Sequence, residues 1–420
     1  MFSDRTNWKL AQNRFTQAVE EVRSSGAKIL DLTVSNPTRV GLEYDSRAIL
    51  AALVSPQALD YDPQAKGLLF ARKAVAEYYR VDHFHANQGV AVDPERIVLT
   101  TSTSEGYSFV FRLLCNAGDE LLVPKPSYPL FEFLADLQDV KLVPYPLIYD
   151  HGWQMDFPSL EKAVTQRTRG VVVVHPNNPT GSYVSESERR QLNEFCRERG
   201  LAVVVDEVFL DYEIGTSAAK AAAQVPALNR SAKSAAPPKT AAGTRKPESF
   251  AGNNEVLTFT LSGLSKIAAL PQMKVAWIVT SGPKELVREA MARLEVIADT
   301  YLSMNAPVQW AVPLLLDQRK SIQKQLLGRV RANLAELDRQ LAAQKACQRQ
   351  EVEGGWYAVL RVPVTRSDEE SAIELVREKH VLVHPGHFYD FPGDGYLVVS
   401  LIGEEGEFGE GISRLLRHVT

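Results

Sequence analysis

Cysteine is scarce in this chain: Cys115, Cys196 and Cys347 are the only three in 420 residues. They lie far apart and form no C-x-x-C pair, which excludes a disulfide framework and a cysteine-rich zinc site and fits a reducing compartment. Long apolar runs are missing too. None is long enough to span a bilayer, and the opening Met1-Phe2-Ser3-Asp4-Arg5 lacks the apolar core of a signal peptide. Neither sign of charge dominates: 47 Lys and Arg stand against 51 Asp and Glu, a formal net charge of −4. No broad basic field therefore asks for nucleic acid. What is there is an ordinary globular composition, 45% hydrophobic and 23% charged, on a chain long enough for a large core and a second, smaller one. The expectation is a cytoplasmic enzyme with no metal, no nucleic acid and no membrane partner.

Helical and strand periodicities alternate along most of the chain. Helical spacing covers residues 8–24, 68–79, 102–114, 129–137 and 187–199. Strand-like runs occupy 28–34, 97–101, 120–123, 141–144, 170–175, 201–206, 256–261 and 275–279. The runs at 170–175 and 201–206 are apolar throughout, as the centre of a parallel sheet requires. This alternation predicts the α/β class: a three-layer α/β/α large domain built on a mostly parallel sheet. Beyond a long helical region, about 284–344, short strands at 356–362, 381–383 and 397–401 predict a smaller α+β domain. The expected division is a large domain over 46–305, with 1–45 and 306–420 forming the small one. One stretch, 215–252, breaks the pattern. It is rich in Ala, Lys, Pro and Ser, mainly positive, and nearly devoid of large apolar side chains, so it cannot bury enough surface to offset its ordering entropy. It reads as a surface insertion, or as a docking arm for an acidic partner.

The stretch that carries chemistry is Ser262-Gly263-Leu264-Ser265-Lys266, with Lys274 following. A lysine delivered at the end of a buried strand, among small and hydroxyl residues, is badly placed for a solvated charge. It is well placed to form a Schiff base with a carbonyl cofactor. Upstream stand His175-Pro176-Asn177-Asn178-Pro179-Thr180-Gly181 and Val203-Val204-Val205-Asp206-Glu207. Asn36-Pro37-Thr38 follows the first strand, a hydroxyl-rich turn precedes Glu105, and Pro126-Ser127-Tyr128-Pro129 and His384-Pro385-Gly386 complete the set.

In the order and spacing of these motifs, from about Leu30 to Leu416, the chain resembles the fold-type I aminotransferases, which depend on pyridoxal 5′-phosphate (PLP). The resemblance implies that Lys266 is the Schiff-base lysine and proton carrier, with Ser265 beside it on the cofactor. It implies that Asp206 pairs with the pyridinium nitrogen, where a buried carboxylate keeps that nitrogen protonated. Asn178 would bond the phenolic oxygen and border the substrate, and Tyr128 would stack on the ring. Ser102, Thr103 and Ser104 would cup the phosphate at a helix N-terminus, joined by Lys274 in place of the usual arginine. Tyr61 would reach the phosphate from a neighbouring subunit, which implies a homodimer with shared sites. Each also has a plainer reading: Asp206 as a helix cap, Asn178 as a turn former, Tyr128 as core packing, Ser102 as a simple N-cap.

Several positions depart from the family pattern. Phe209 replaces a tyrosine that bonds the phenolic oxygen, Gly263 a phosphate-binding serine, and Ser102 a glycine. Val398, in Leu397-Val398-Val399-Ser400-Leu401, replaces the arginine that clamps the substrate carboxylate. A bidentate arginine is the natural clamp for that group. Arg39, in the loop after Asn36, is the candidate replacement, with Arg361 a second; a solvated loop charge is the other reading of Arg39. The expected activity is transfer of an amino group between an amino acid and a 2-oxo acid. A β-lyase on the same scaffold, and a binding protein without turnover, are the alternatives.

Overall fold

The computed structural model describes residues 1–80, 89–215, 248–302 and 304–419. Its centre is an eight-stranded sheet of order β2-β9-β8-β7-β6-β3-β4-β5. The strands are β2 (Ile97–Thr100), β3 (Glu120–Lys125), β4 (Lys141–Tyr149), β5 (Trp153–Met155), β6 (Thr168–Val174), β7 (Ala202–Asp206), β8 (Thr258–Gly263) and β9 (Ala276–Ser281). β8, β7, β6, β3 and β4 run parallel. β9 is antiparallel to both its neighbours, and β5 to β4. β6 and β7 are buried on both faces because their residues are valines on both parities, Val171 to Val174 and Val203 to Val205.

Helices cover the faces. Glu186–Arg199 starts at a capping box, Ser185 with Glu188, and stops at Gly200 in the left-handed region. Thr103–Leu114 lies close on β8 and β9. A Cβ on its Gly106 would come within 2.9 Å of the Leu261 side chain, so glycine there lets the helix seat against the sheet. The long helical region separates into Lys284–Tyr301, Ala306–Asp317 and Arg319–Ala342. Leu302 in the left-handed conformation and the Asn305 cap end the first and start the second.

A four-stranded antiparallel sheet, β10 (Gln348–Arg349), β11 (Tyr357–Arg361), β14 (Tyr396–Ser400) and β13 (His384–Pro385), forms the smaller unit. Its core also takes apolar residues from Arg14–Ser24, Arg319–Ala342, Asp368–Lys379 and Glu405–Val419. A two-residue strand, β1 (Leu30–Asp31), pairs in parallel with β12 (Val381–Leu382). The apolar cluster of this unit reaches Phe209 and Tyr212 of the large one.

The first helix starts at Arg14 and not at residue 8, because the Asn13 side chain caps it by accepting from the Thr16 N–H at 2.7 Å. The preceding residues form an arm on the large unit. Trp8 meets the Phe133 ring edge-on at 5.5 Å and donates to Asp136 at 2.8 Å, and Arg5 pairs with Asp139. The stretch 215–252, expected to lie outside the fold, falls mostly outside the described residues. Its last residues, 248–252, are packed. Phe250 is fully buried, and Glu207 accepts from the Ser249 hydroxyl at 2.7 Å and the Phe250 N–H at 2.6 Å. Replacing Phe250 with alanine deletes a buried ring and is expected to lower unfolding free energy by about 3–5 kcal/mol. Urea unfolding of Phe250→Ala measures this; a loss below about 1 kcal/mol would mean the segment is not part of the core.

Candidate active site

β2, β3, β6, β7 and β8 all point one way, since β9 reverses direction twice between β8 and β2. Their carboxyl ends therefore share one edge, where ligands bind in open α/β sheets. β2 leads to Ser102, β3 to Ser127 and Tyr128, β6 to Asn178, β7 to Asp206, and β8 to Lys266.

Lys266 sits in a short helix, Leu264–Ile267, immediately after β8. Its amine donates to the Ser35 carbonyl at 3.3 Å and lies 5.0 Å from the centre of the Trp356 ring and 5.7 Å from that of Phe209. Removal from water lowers its pKa from 10.5 to about 8; Asp206 opposes that shift. Asp206 ends β7. It accepts from the Val208 N–H at 3.0 Å and the Tyr107 hydroxyl at 3.2 Å. Burial raises its pKa to about 6 against these bonds and against Lys266. The two charges thus feel each other across neighbouring strand ends without direct contact.

The Asn178 side chain is buried, and its Oδ1 has no hydrogen-bond partner. Its neighbour Asn177 is fully engaged. It donates to the Pro126 carbonyl at 3.1 Å and to Thr180 Oγ1 at 2.9 Å, tying the turn that carries Tyr128 to the one that carries Asn178. Tyr128 is 44% exposed, and burial followed by the charge of Asp206 raises its phenol's pKa. Ser102 caps helix Thr103–Leu114 by accepting from the Glu105 N–H at 3.1 Å, while Glu105 reaches back to the Thr101 N–H at 2.7 Å. Thr103 and Ser104 stand in its first turn, where free N–H groups and the helix dipole attract an anion.

Among the remaining candidates, Ser265 is partly buried beside Lys266, and Lys274 is exposed in the left-handed conformation at the entry to β9. Asn36 caps a short turn by accepting from the Thr38 N–H at 3.0 Å, and Arg39 ends that turn, exposed, in the loop whose Ser35 carbonyl meets the lysine. Tyr61 is 83% exposed and borders a cavity of about 400 Å³ with Gly67, Leu99 and Leu302. Arg361 turns away: its guanidinium lies 4.0 Å over the Tyr396 ring and donates to the Asp394 carbonyl.

The departures have physical causes. A Cβ on Gly263 would lie 2.8 Å from the Val275 carbonyl and 2.9 Å from Ala276, so β9 leaves no room for a side chain. Phe209 packs edge-on against Trp356 at 5.1 Å in an apolar cluster. Val398 is fully buried between Val359 and His384 in β14's ladder. Sequence reasoning missed Tyr107 and Asn177. Tyr107 follows Thr103 by one helical turn and so shares its face, a signal the sequence did carry; the bonds of Asn177 become visible only in three dimensions.

A partly buried lysine beside a partly buried acid, with an anion-seeking helix N-terminus, defines an enzyme of Schiff-base chemistry acting with a phosphate-bearing carbonyl cofactor. The chain belongs to the aminotransferase class I and II family, which it matches over residues 27–410. It is 26% identical over 412 residues to the glutamate-pyruvate aminotransferase AlaA of Haemophilus influenzae, covering 95% of this chain and 92% of that one. It is 27% identical to the alanine aminotransferase of Mycobacterium tuberculosis, covering 95% and 87%. An alanine aminotransferase from Pyrococcus furiosus has the same fold, with a TM-score of 0.82 at 21% identity over 99% of both chains. A more partial relative, 26% identical over 64% of this chain and 52% of its own length, is the S-alkyl-thiohydroximate lyase SUR1 of Arabidopsis thaliana.

The protein is accordingly a PLP-dependent transaminase that moves an amino group between an amino acid and a 2-oxo acid. The residues at the site fit that cofactor: the buried Asn178 amide lacks a partner for Oδ1, and among the described residues the Asp206 carboxylate accepts from Tyr107 and Val208 with no cation bonded to it. Among the described residues no cluster could hold a metal, and no helix is long and apolar enough to cross a membrane.

The partly buried lysine has a thermodynamic consequence. Its folded pKa lies below its unfolded value, so its contribution to stability is full above about pH 10.5 and is lost as pH falls through about 8. Without ligand, Lys266→Met is expected to melt above the wild type at pH 7, with the gap shrinking as pH rises from 8 to 10.5. Equal melting temperatures at pH 7 would show a hydrated amine.

Proposed function

We propose that Lys266 is the catalytic base and attachment lysine, Asp206 the partner of the cofactor's ring nitrogen, and Asn178 and Tyr128 the groups that orient the ring. Ser102, Thr103, Ser104, Ser265 and Lys274 hold the phosphate. The observation that carries this reading is the Lys266 amine itself, desolvated, facing Asp206, with a pKa of about 8. Such an amine is neutral in about a tenth of the molecules at pH 7 and about half at pH 8, far more than an ordinary lysine, so it can take the proton from a substrate's Cα and return it on the other side of the transfer. When bound, PLP supplies the electron sink for the carbanion that this proton transfer creates. Asp206 stays ionised above about pH 6 and so can hold the ring nitrogen in its protonated form.

The names of the relatives point to alanine, glutamate and pyruvate as amino-group donors and acceptors. The aromatic wall of Phe209, Trp356 and Tyr357 favours a small or apolar side chain. Val398 offers the substrate carboxylate no charge, and Arg39, assisted by Asn36 in positioning its turn, takes that role. Purified protein with PLP should show a visible band that is absent in Lys266→Ala, bleaches with alanine or glutamate, and returns with pyruvate. Pyruvate and ammonia accumulating without any 2-oxo acid would instead point to a lyase. Arg39→Ala should raise KM for amino acids at least about tenfold, the loss of one charge-assisted bond. An unchanged KM would remove Arg39 from the site.

The chain acts in the cytoplasm as a homodimer in this reading. Tyr61 is supported as an interface residue by its exposure and by its company: Val54, Leu59, Val296 and Leu302 are each more than half exposed, an apolar surface a monomer rarely leaves open. Sedimentation should give twice the chain mass, and Tyr61→Ala should weaken PLP binding while leaving the dimer intact. A monomeric chain that binds PLP normally would refute this.

A further inference from the structure

The lysine's own helix is too short to hold itself. Leu264–Ile267 spans four residues, less than the length at which helical hydrogen bonding becomes self-sustaining. The turn that carries it runs on to Ala269, which has φ 51°, a conformation that residues with a Cβ avoid. Something outside must fix it, and three side chains from three other parts of the chain do so through its carbonyls. The Tyr212 hydroxyl donates to the carbonyl of Lys266 itself at 2.6 Å. The Gln323 amide, from helix Arg319–Ala342, donates to the Ile267 carbonyl at 2.9 Å. The Tyr44 hydroxyl donates to the Ala269 carbonyl at 2.9 Å.

These donors are themselves anchored. Gln323 also donates to Asp211 Oδ2 at 2.5 Å, and the Tyr78 hydroxyl donates to Asp211 Oδ1 at 2.8 Å. The Tyr212 ring meets Trp356 edge-on at 5.1 Å, and Trp356 is the ring that faces the lysine amine at 5.0 Å. Tyr212 therefore touches the lysine by its hydroxyl at the backbone and packs on the ring that faces its amine. The Lys266 carbonyl also accepts from the Ala269 N–H, at 3.2 Å.

We infer that Tyr212 is a positioning residue for the reaction: its hydroxyl, with Gln323 and Tyr44, locks the turn that aims the Lys266 amine. This rests on Lys266 being the reactive amine. A loosened turn lets the amine swing into water, and the desolvation that raises its neutral fraction around pH 8 is lost. Asp206 is the charged group that acts on the amine, and it stays in place because its own bonds come from Tyr107 and Val208. Among the described residues the Tyr212 hydroxyl bonds to the Lys266 carbonyl alone, so removing that hydroxyl should leave substrate affinity unchanged.

The test is the pH profile of reductive methylation of Lys266 in the full-length chain, read by peptide mass spectrometry, beside kcat and KM of the PLP-loaded enzyme. Tyr212→Phe keeps the ring and removes the hydroxyl. The expected result is a midpoint raised by about one pH unit, so that modification at pH 8 slows roughly fivefold, with kcat lowered and KM unchanged. A methylation profile superimposable on the wild type, even with a lowered melting temperature, would overturn the inference and leave Tyr212 merely structural. Should Tyr212→Phe not fold, Tyr44→Phe and Gln323→Met are judged by the same profile. The underlying reading fails separately. In that case Lys266 of the wild type titrates like an ordinary lysine, and the Lys266→Ala protein keeps the visible band.

Discussion

Keeping an amine out of water is the constraint on which this site is built. Lys266 carries a charge that the sheet edge does not solvate, and Asp206 carries the opposite charge on the adjacent strand end, also desolvated. Neither gains a direct bond to the other. Such an arrangement costs stability, and the surroundings offset it with rigid packing: a valine-rich strand pair beneath, an aromatic wall beside the amine, and hydrogen bonds that fix the backbone but leave the reactive atoms free. The buried Asn178 oxygen adds to that cost, since it has no hydrogen-bond partner among the described residues.

The positions that depart from the family pattern show how far the rest of the site has adapted around this constraint. Gly263 leaves β9 free to approach to van der Waals distance, so the lost hydroxyl is exchanged for a tighter sheet beside the lysine turn. Phe209 and Val398 extend the apolar core of the smaller unit to the site itself. The result is a pocket wall that is drier than a pattern with tyrosine and arginine would make it, and a dry wall strengthens every remaining charge interaction.

Much of this was legible in the sequence, and for physical reasons. The valine runs of β6 and β7 have no polar face, so they could only be central strands. Ser102 and Ser185 precede helical periodicity with a glutamate three residues on, and both cap helices. Lys266, Asp206 and Asn178 follow strands, and the parallel sheet brings them to one edge. What the sequence hid are contacts between distant residues that leave no periodic trace. Nothing near Tyr44, Tyr212 or Gln323 marks them as donors to a single turn. Phe250 lay in a stretch whose average composition concealed a large core side chain, and Asn13 outcompeted the helical periodicity that begins before it.

The pairing of β1 with β12 has a bearing on how the molecule is made. Leu30 finds its partner at Val381, near the opposite end of the chain. During synthesis the first strand must therefore wait, unpaired, until almost the whole protein has emerged. An unpaired strand edge invites association with other chains. Here that edge is two residues long, too short to template a stranger, and the brevity of β1 protects the nascent chain for as long as its partner is missing.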